Sequence, residues 1–138
     1  MKRVLLDTNV ILDVLLNREP HVGASAALWA AIETGSGEGV LAAHAVTTIH
    51  YLLERVEGAA NARRDVSVLL RLFGVAAVDS AVIQNALNLQ GADFEDAVTA
   101  VAARLSGCDL IATRDPKGFA GSPVRALTPE AIPPLLKQ

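Results

Sequence analysis

Short apolar runs alternate with helix-length stretches along nearly the whole chain, and this alternation limits the folds open to it more than any other feature. Val40-Leu41-Ala42, Val75 to Val78 and Leu110-Ile111-Ala112 read as strands, and Val4-Leu5-Leu6, ended by Asp7, as a short buried strand. That is the pattern of a parallel sheet covered on both sides, not of an antiparallel sheet with one wet face. Helical patterns lie between them, from Thr8 through Leu16, His21 to Glu33, His44 to Val56, Asn61 to Phe73, Asp79 or Ser80 to about Leu89, and Asp93 to Leu105. Leu28, Trp29 and Ile32 make one apolar stripe; Ile49, Leu52, Leu53 and Val56 make another. Arg18-Glu19-Pro20, Gly35-Ser36-Gly37, Gly58, Gly74, Gly91-Ala92 and Gly107 supply the breaks. Val124-Arg125-Ala126 reads as a fifth strand, and Thr128-Pro129-Glu130 as the cap and N1 proline of a last helix. Strands alternating with helices predict a three-layer α/β/α architecture around a central, mostly parallel sheet of four to five strands, with right-handed crossovers. The length fits a single domain, residues 1–138, large enough to bury its own core.

Charge and cysteine content narrow the class. A formal charge of −3 argues against a broadly basic nucleic-acid surface, yet it allows an acidic centre with a basic rim. The lone Cys108 excludes an internal disulfide, fits a reducing cytosol and reads as a small buried hydrophobe. The apolar run after Met1-Lys2-Arg3 stops at Asp7, too soon for a signal peptide, and no apolar stretch is long enough to span a bilayer. The expectation is a cytoplasmic protein without a membrane partner.

Open α/β sheets place their sites beyond the carboxyl ends of the strands. Asp7 directly follows the first strand. Asp115 follows the fourth, with Thr113 and Arg114 between. Asp93 and Asp96 begin the helix leading into that strand, and residues three apart share a helix face. Three chain segments thus deliver carboxylates to one edge. Crowded carboxylates repel and raise one another's pKa, unless a hard cation lies between them. Mg²⁺ and Mn²⁺ take oxygen ligands, and such an ion activates water and stabilises charge on a phosphoryl group. Hydrolysis of a phosphodiester is the natural reaction.

Each acid also has a purely structural reading. Asp7 can cap the first helix, capping is the favoured role of Asp93, and Asp115-Pro116 is a common turn. Glu95 reads as a solvated first-turn charge, and Asp13, two turns into an apolar helix, is expected at the surface. Arg114 reads equally as a bidentate phosphate contact beside Thr113 and as a plain surface arginine. His21, His44 and His50 are not spaced as zinc ligands and read as ordinary buried or surface histidines. Trp29 and Tyr51 read as core residues, with a dimer contact as the alternative for Tyr51.

Val4-Leu5-Leu6-Asp7-Thr8-Asn9-Val10-Ile11-Leu12-Asp13 resembles the opening of PIN domains, where a strand runs into Asp-Thr-Asn. Asp93-Phe94-Glu95-Asp96-Ala97 resembles the family's second acidic block, and Leu110-Ile111-Ala112-Thr113-Arg114-Asp115 with Phe119 its third. Order and spacing match along nearly the whole chain, and the branch resembles the small bacterial one that includes toxins of VapC type. The resemblance implies an α/β/α fold with a central parallel sheet and a Mg²⁺- or Mn²⁺-dependent ribonuclease. It also implies a homodimer, often the toxin partner of a cognate antitoxin. By position it makes Asp7, Asp96 and Asp115 the metal ligands and catalytic residues and Asp93 an auxiliary acid; Asn9, Thr113 and Thr48, the last as a hydrogen-bond partner of a metal-bound water, are expected as further auxiliaries, and Arg114 as an RNA contact. The sequence departs from the family where a glutamate often opens the third helix: Val46-Thr47-Thr48-Ile49-His50-Tyr51 stands there, with Thr48 at the acid's place. A second departure is Gly118, where an acid is common before the Phe.

Two readings compete with an active nuclease. A degenerate PIN domain would bind RNA or protein without cutting, and the missing glutamate supports it. A phosphatase or receiver-like phosphotransfer domain would also place Asp at the end of the first strand. The first would want a second Asp where Asn9 stands, however, and Lys117 poorly fits the receiver's strand-end lysine.

Overall fold

The computed structural model describes residues 1–91 and 93–136. Five strands, β1 (Arg3–Leu6), β2 (Glu38–Ala42), β3 (Gly74–Ala76), β4 (Leu110–Ala112) and β5 (Arg125–Leu127), form one sheet in the order β3-β2-β1-β4-β5, every pair parallel. The helices are α1 (Thr8–Leu15), α2 (Val22–Glu33), α3 (Ala43–Glu57), α4 (Ala59–Leu72), α5 (Ser80–Ala86), α6 (Phe94–Leu105) and α7 (Pro133–Leu136). The order changes direction at β1, with α1 leading towards β2 and α6 into β4, so the edge above β1 and β4 is where the chain leaves room for a site.

Side-chain alternation along β1 divides the core into two halves. Val4 and Leu6 pack with Leu41, Leu110 and residues of α1, α2, α3, α4 and α7 on one face. Leu5 packs with Val40, Ile111 and the small residues of α5 and α6 on the other. Helix α6 carries Ala97, Ala100, Ala102 and Ala103, all buried, and these short side chains let it lie close against the sheet. The result is the α/β/α sandwich that the alternation predicted.

Local chemistry accounts for most element ends, and for the places where the expectation fails. Asp79 caps α5 by accepting from the Val82 amide at 3.1 Å, but α5 stops at Ala86, short of Leu89. Strand β2 starts at Glu38, two residues early, because Arg3 pairs opposite it at the sheet edge, with Nε 2.9 Å from the Glu38 carboxylate. Gly91, at the predicted break, has a left-handed φ of +80°, which suits glycine; Ala92 lies outside the described residues. Thr128 makes no side-chain cap, and Pro129–Ala131 forms a 3₁₀ turn before α7, so the last helix starts later than predicted. Tyr51 is not a core residue: it is 58% exposed, with the Arg55 guanidinium 5.8 Å from its ring centre. Among the described residues, no helix is long and apolar enough to cross a membrane.

Candidate metal-dependent site at the carboxyl edge of the sheet

Asp7 leaves β1 in an extended conformation and caps α1, its Oδ1 accepting from the Thr8 amide at 2.9 Å. Its own amide donates to the Ala112 carbonyl at 2.9 Å, which carries the β1–β4 ladder one residue past the strand end. The capping and site readings of Asp7 are therefore compatible: one oxygen caps, and the other accepts from the Thr113 hydroxyl at 3.0 Å. Thr113 in turn accepts from the Asp115 amide at 3.2 Å. This buried threonine ties the ends of β1 and β4 together and fixes the backbone from which Asp115 projects.

Asp96 enters from the first turn of α6. Asp93 caps that helix, its Oδ2 3.4 Å from the Asp96 amide. Asp7, Asn9, Asp96, Thr113, Arg114, Asp115 and Phe119 line one cleft of about 320 Å³. The chain approaches the acids closely at Gly118, where a Cβ would stand 3.1 Å from Asp96 Oδ2 and 3.6 Å from Asp115 Oδ2. The absence of a side chain at 118 thus keeps the space between these two carboxylates clear.

The electrostatics follow from this crowding. Burial raises the Asp96 carboxyl to about 6, helped by the negative charges of Asp7, Asp93, Glu95 and Asp115. Burial also raises Asp7, against the lowering effect of its hydrogen bonds to Thr113 and Thr8 and of the nearby His44 and Arg114. Among the described residues, no three His, Cys, Asp or Glu side chains close up as a metal-ligand set. The acids face one cleft rather than one point. In donor chemistry the cleft nonetheless fits a hard divalent cation: its acids offer only oxygen, and a cation would relieve the repulsion among them that adds to the effect of burial on Asp96.

The sequence-predicted residues separate into two groups. Asp7, Asn9, Asp96, Thr113, Arg114 and Asp115 share the cleft, and Asp93 stands beside it as the α6 cap. Thr48 does not line it; it is half-buried on α3 and is not brought to the acids. The α3 residue that feels Asp7 is His44, one turn earlier. Burial lowers the His44 pKa, opposed by Glu95 and Asp7. Its Nε2 lies 3.3 Å from Thr99 Oγ1, which donates its own proton to the Glu95 carbonyl at 3.1 Å. The ring's Nδ1 is buried and has no hydrogen-bond partner among the described residues. His44 was legible by position, since it sits just past the end of β2.

Asp13 overturns its expected surface role. It is wholly buried, with Oδ2 3.2 Å from Arg114 Nε and 3.4 Å from Ser25 Oγ, and Oδ1 has no partner among the described residues. The Arg114 contact is a charge pairing, not an aligned hydrogen bond. Arg114 is thus held from behind by a buried acid while it faces the cleft. A larger cleft, about 600 Å³, opens at the amino ends of the strands, but its charges are chiefly the mutually paired Arg3 and Glu38.

The family model described as "PIN domain" matches residues 3–117. The Ribonuclease VapC1 of Aquifex aeolicus is 24% identical over 134 residues, 94% of this chain and 92% of that protein. FitAcB from Neisseria gonorrhoeae superposes with a TM-score of 0.69 at 22% identity, covering 91% of this chain and 97% of that one. A toxin–antitoxin complex from Klebsiella pneumoniae gives 0.70 at 19% identity, covering 91% and 97%. At these identities the structural likeness is one of fold.

Proposed function

The chain belongs to the PIN domain family, and from that premise we propose that it is an endoribonuclease that hydrolyses RNA phosphodiesters with Mg²⁺ or Mn²⁺. The observation that carries the reading is the convergence of Asp7, Asp96 and Asp115, from three chain segments, on one cleft at the carboxyl edge of the sheet. These three would hold the cation, which when bound supplies water activation and neutralises charge on the phosphoryl group. The chain's own residues do the positioning. Thr113 fixes the Asp7 carboxylate, and Asn9 at the mouth offers an amide to the substrate. Arg114 turns a guanidinium held by Asp13 towards the phosphate, a geometry suited to bidentate contact.

We propose further that the protein is a homodimer and the toxin of a toxin–antitoxin pair. The fold shared with the K. pneumoniae toxin–antitoxin complex supports the pairing, and the homodimer rests on the family resemblance. A non-cleaving RNA- or protein-binding module is the competing reading, favoured by one observation: α3 brings neither an acid nor Thr48 to the cleft.

The deciding experiment incubates the protein with structured and single-stranded RNAs in Mn²⁺, Mg²⁺ or EDTA, beside Asp7→Asn. Cutting that requires metal and disappears in the variant is the expected result. Cutting that persists in the variant overturns the assignment. A folded protein that cuts in no lane favours the binding module.

A further inference from the structure

A second cleft, of about 500 Å³, opens on the far side of Arg114 from Asp7 and Asp96, and Arg114 lines both. Its other walls come from the start of α2, with Pro20 and His21 before it, and from the 3₁₀ turn after β5. The volume suits a small molecule or one unit of a polymer. Pro20, Ala24 and Pro129 present small, flat apolar surfaces, and His21 adds an aromatic ring. Ser25, buried in the wall, is tied to the equally buried Asp13 that holds Arg114. The rim carries the exposed carboxylate of Glu130.

We infer that this cleft receives the nucleobase next to the phosphate that Arg114 contacts, and that it favours guanine. The inference rests on the ribonuclease reading. A flat apolar slot with one aromatic ring suits the face of an unstacked base, the usual target of sequence-selective RNA recognition. It suits a second phosphate poorly, because Arg114 already faces Asp13 and Glu130 is an acid. An ionised carboxylate only accepts hydrogen bonds. Guanine alone among the four bases offers two adjacent donor groups, N1–H and N2–H, on its Watson–Crick edge. Adenine and cytosine set an acceptor nitrogen beside their amino group, and uracil flanks its single N–H with two carbonyls. Glu130 therefore matches guanine with both oxygens and meets an acceptor on every other base. Two clefts meeting at one arginine would place a selected base beside the phosphate to be cut, and this gives cleavage a sequence preference that the acids cannot supply.

The test measures binding rather than cutting, so that it stands apart from the nuclease reading. 5′-GMP, AMP, CMP and UMP are titrated into the metal-free protein and followed by NMR. GMP is expected to bind about tenfold more tightly than the others, in line with a good bidentate base contact. Glu130→Gln, an exposed substitution, should bring GMP down to the level of the rest. Ala24→Trp should fill the slot and remove all binding, with its melting curve confirming the fold. Equal affinity for the four nucleotides, or GMP binding indifferent to Glu130→Gln, overturns the inference. Guanine-selective binding by a protein that cuts no RNA would instead remove the nuclease reading and leave the base site standing.

Discussion

Replacing Arg114 with Met should destabilise the protein by an amount set by the acid it leaves behind. Asp13 is wholly buried; among the described residues one of its oxygens has no partner, and its other polar neighbour, Ser25, is at the long limit of a hydrogen bond at 3.4 Å. Removing one member of a buried ion pair costs about 3–5 kcal/mol because the other charge is stranded. The Arg114 side chain is 30% exposed, so water reaches one end of the pair, and the loss should fall to about 2–3 kcal/mol. For a chain of this size that is a fall in Tm of roughly 6–12 °C. Asp13→Asn removes the stranded charge, so Asp13→Asn with Arg114→Met should recover most of the loss. A double-mutant cycle by urea unfolding reads the coupling directly. A single-variant loss below about 0.5 kcal/mol, or a double variant no more stable than the sum of the singles, would refute the reasoning. Asp13 would then be adequately served by its surroundings, and Arg114 would be an ordinary surface residue.

Two further predictions concern the acids. With Asp96 raised to about 6 against an ordinary 3.8, the native state holds a proton that the unfolded chain has released. Metal-free stability should therefore fall as pH rises between about 4 and 6. His44, lowered from 6.5, works the opposite way just below that value, and Asp7, also raised, adds to the fall, so the difference between the Tm–pH curves of the parent and Asp96→Asn reports Asp96 together with its coupling to Asp7. Asp96→Asn should flatten the fall, melt higher than the parent in EDTA above pH 6, and lose the rise in Tm that Mn²⁺ gives the parent; an unchanged slope would refute the assignment. Gly118→Asp should lower Tm in EDTA by crowding Asp96 Oδ2, 3.1 Å from the new Cβ, and should enlarge the rise in Tm on adding Mn²⁺. Equal shifts in parent and variant would mean that position 118 does not face the ion.

The sheet was legible because it rests on short-range pattern. Runs such as Val4-Leu5-Leu6, apolar at every position, are buried on both faces, and the core halves divide along that alternation. The helix caps at Asp7, Asp79 and Asp93 were legible for the same reason, since a cap is settled within three residues. The expectations that failed depend on contacts far apart in sequence. Tyr51 lies at helical spacing on an apolar helix, yet α4 and the sheet leave its face to solvent. Thr128 has the chemistry of a cap, but the segment after it tightens into a 3₁₀ turn in which the Ala131 amide bonds the Thr128 carbonyl at 3.0 Å and the hydroxyl makes no cap. Asp13 is the most instructive case. Nothing nearby in sequence explains a buried charge in α1; its partner stands 101 positions later, in the segment that also supplies Asp115.

That placement bears on how the site tolerates its own repulsion. Asp7 and Asp96 are both pushed towards the protonated form, and among the described residues neither has an ion pair to hold it ionised. Arg114 lines the same cleft, and Asp13 already claims one side of it. If Arg114 paired with Asp7 or Asp96 instead, the cleft would be neutralised from within and would have less affinity for a cation. A buried acid outside the cleft thus keeps the arginine beside the carboxylates without letting it cancel them. Arg114→Lys separates this from simple charge balance. The shorter, mobile ammonium can leave Asp13 for Asp7, so the variant should lose part of its rise in Tm on adding Mn²⁺, whereas a parent-like rise would mean that net charge alone sets the affinity.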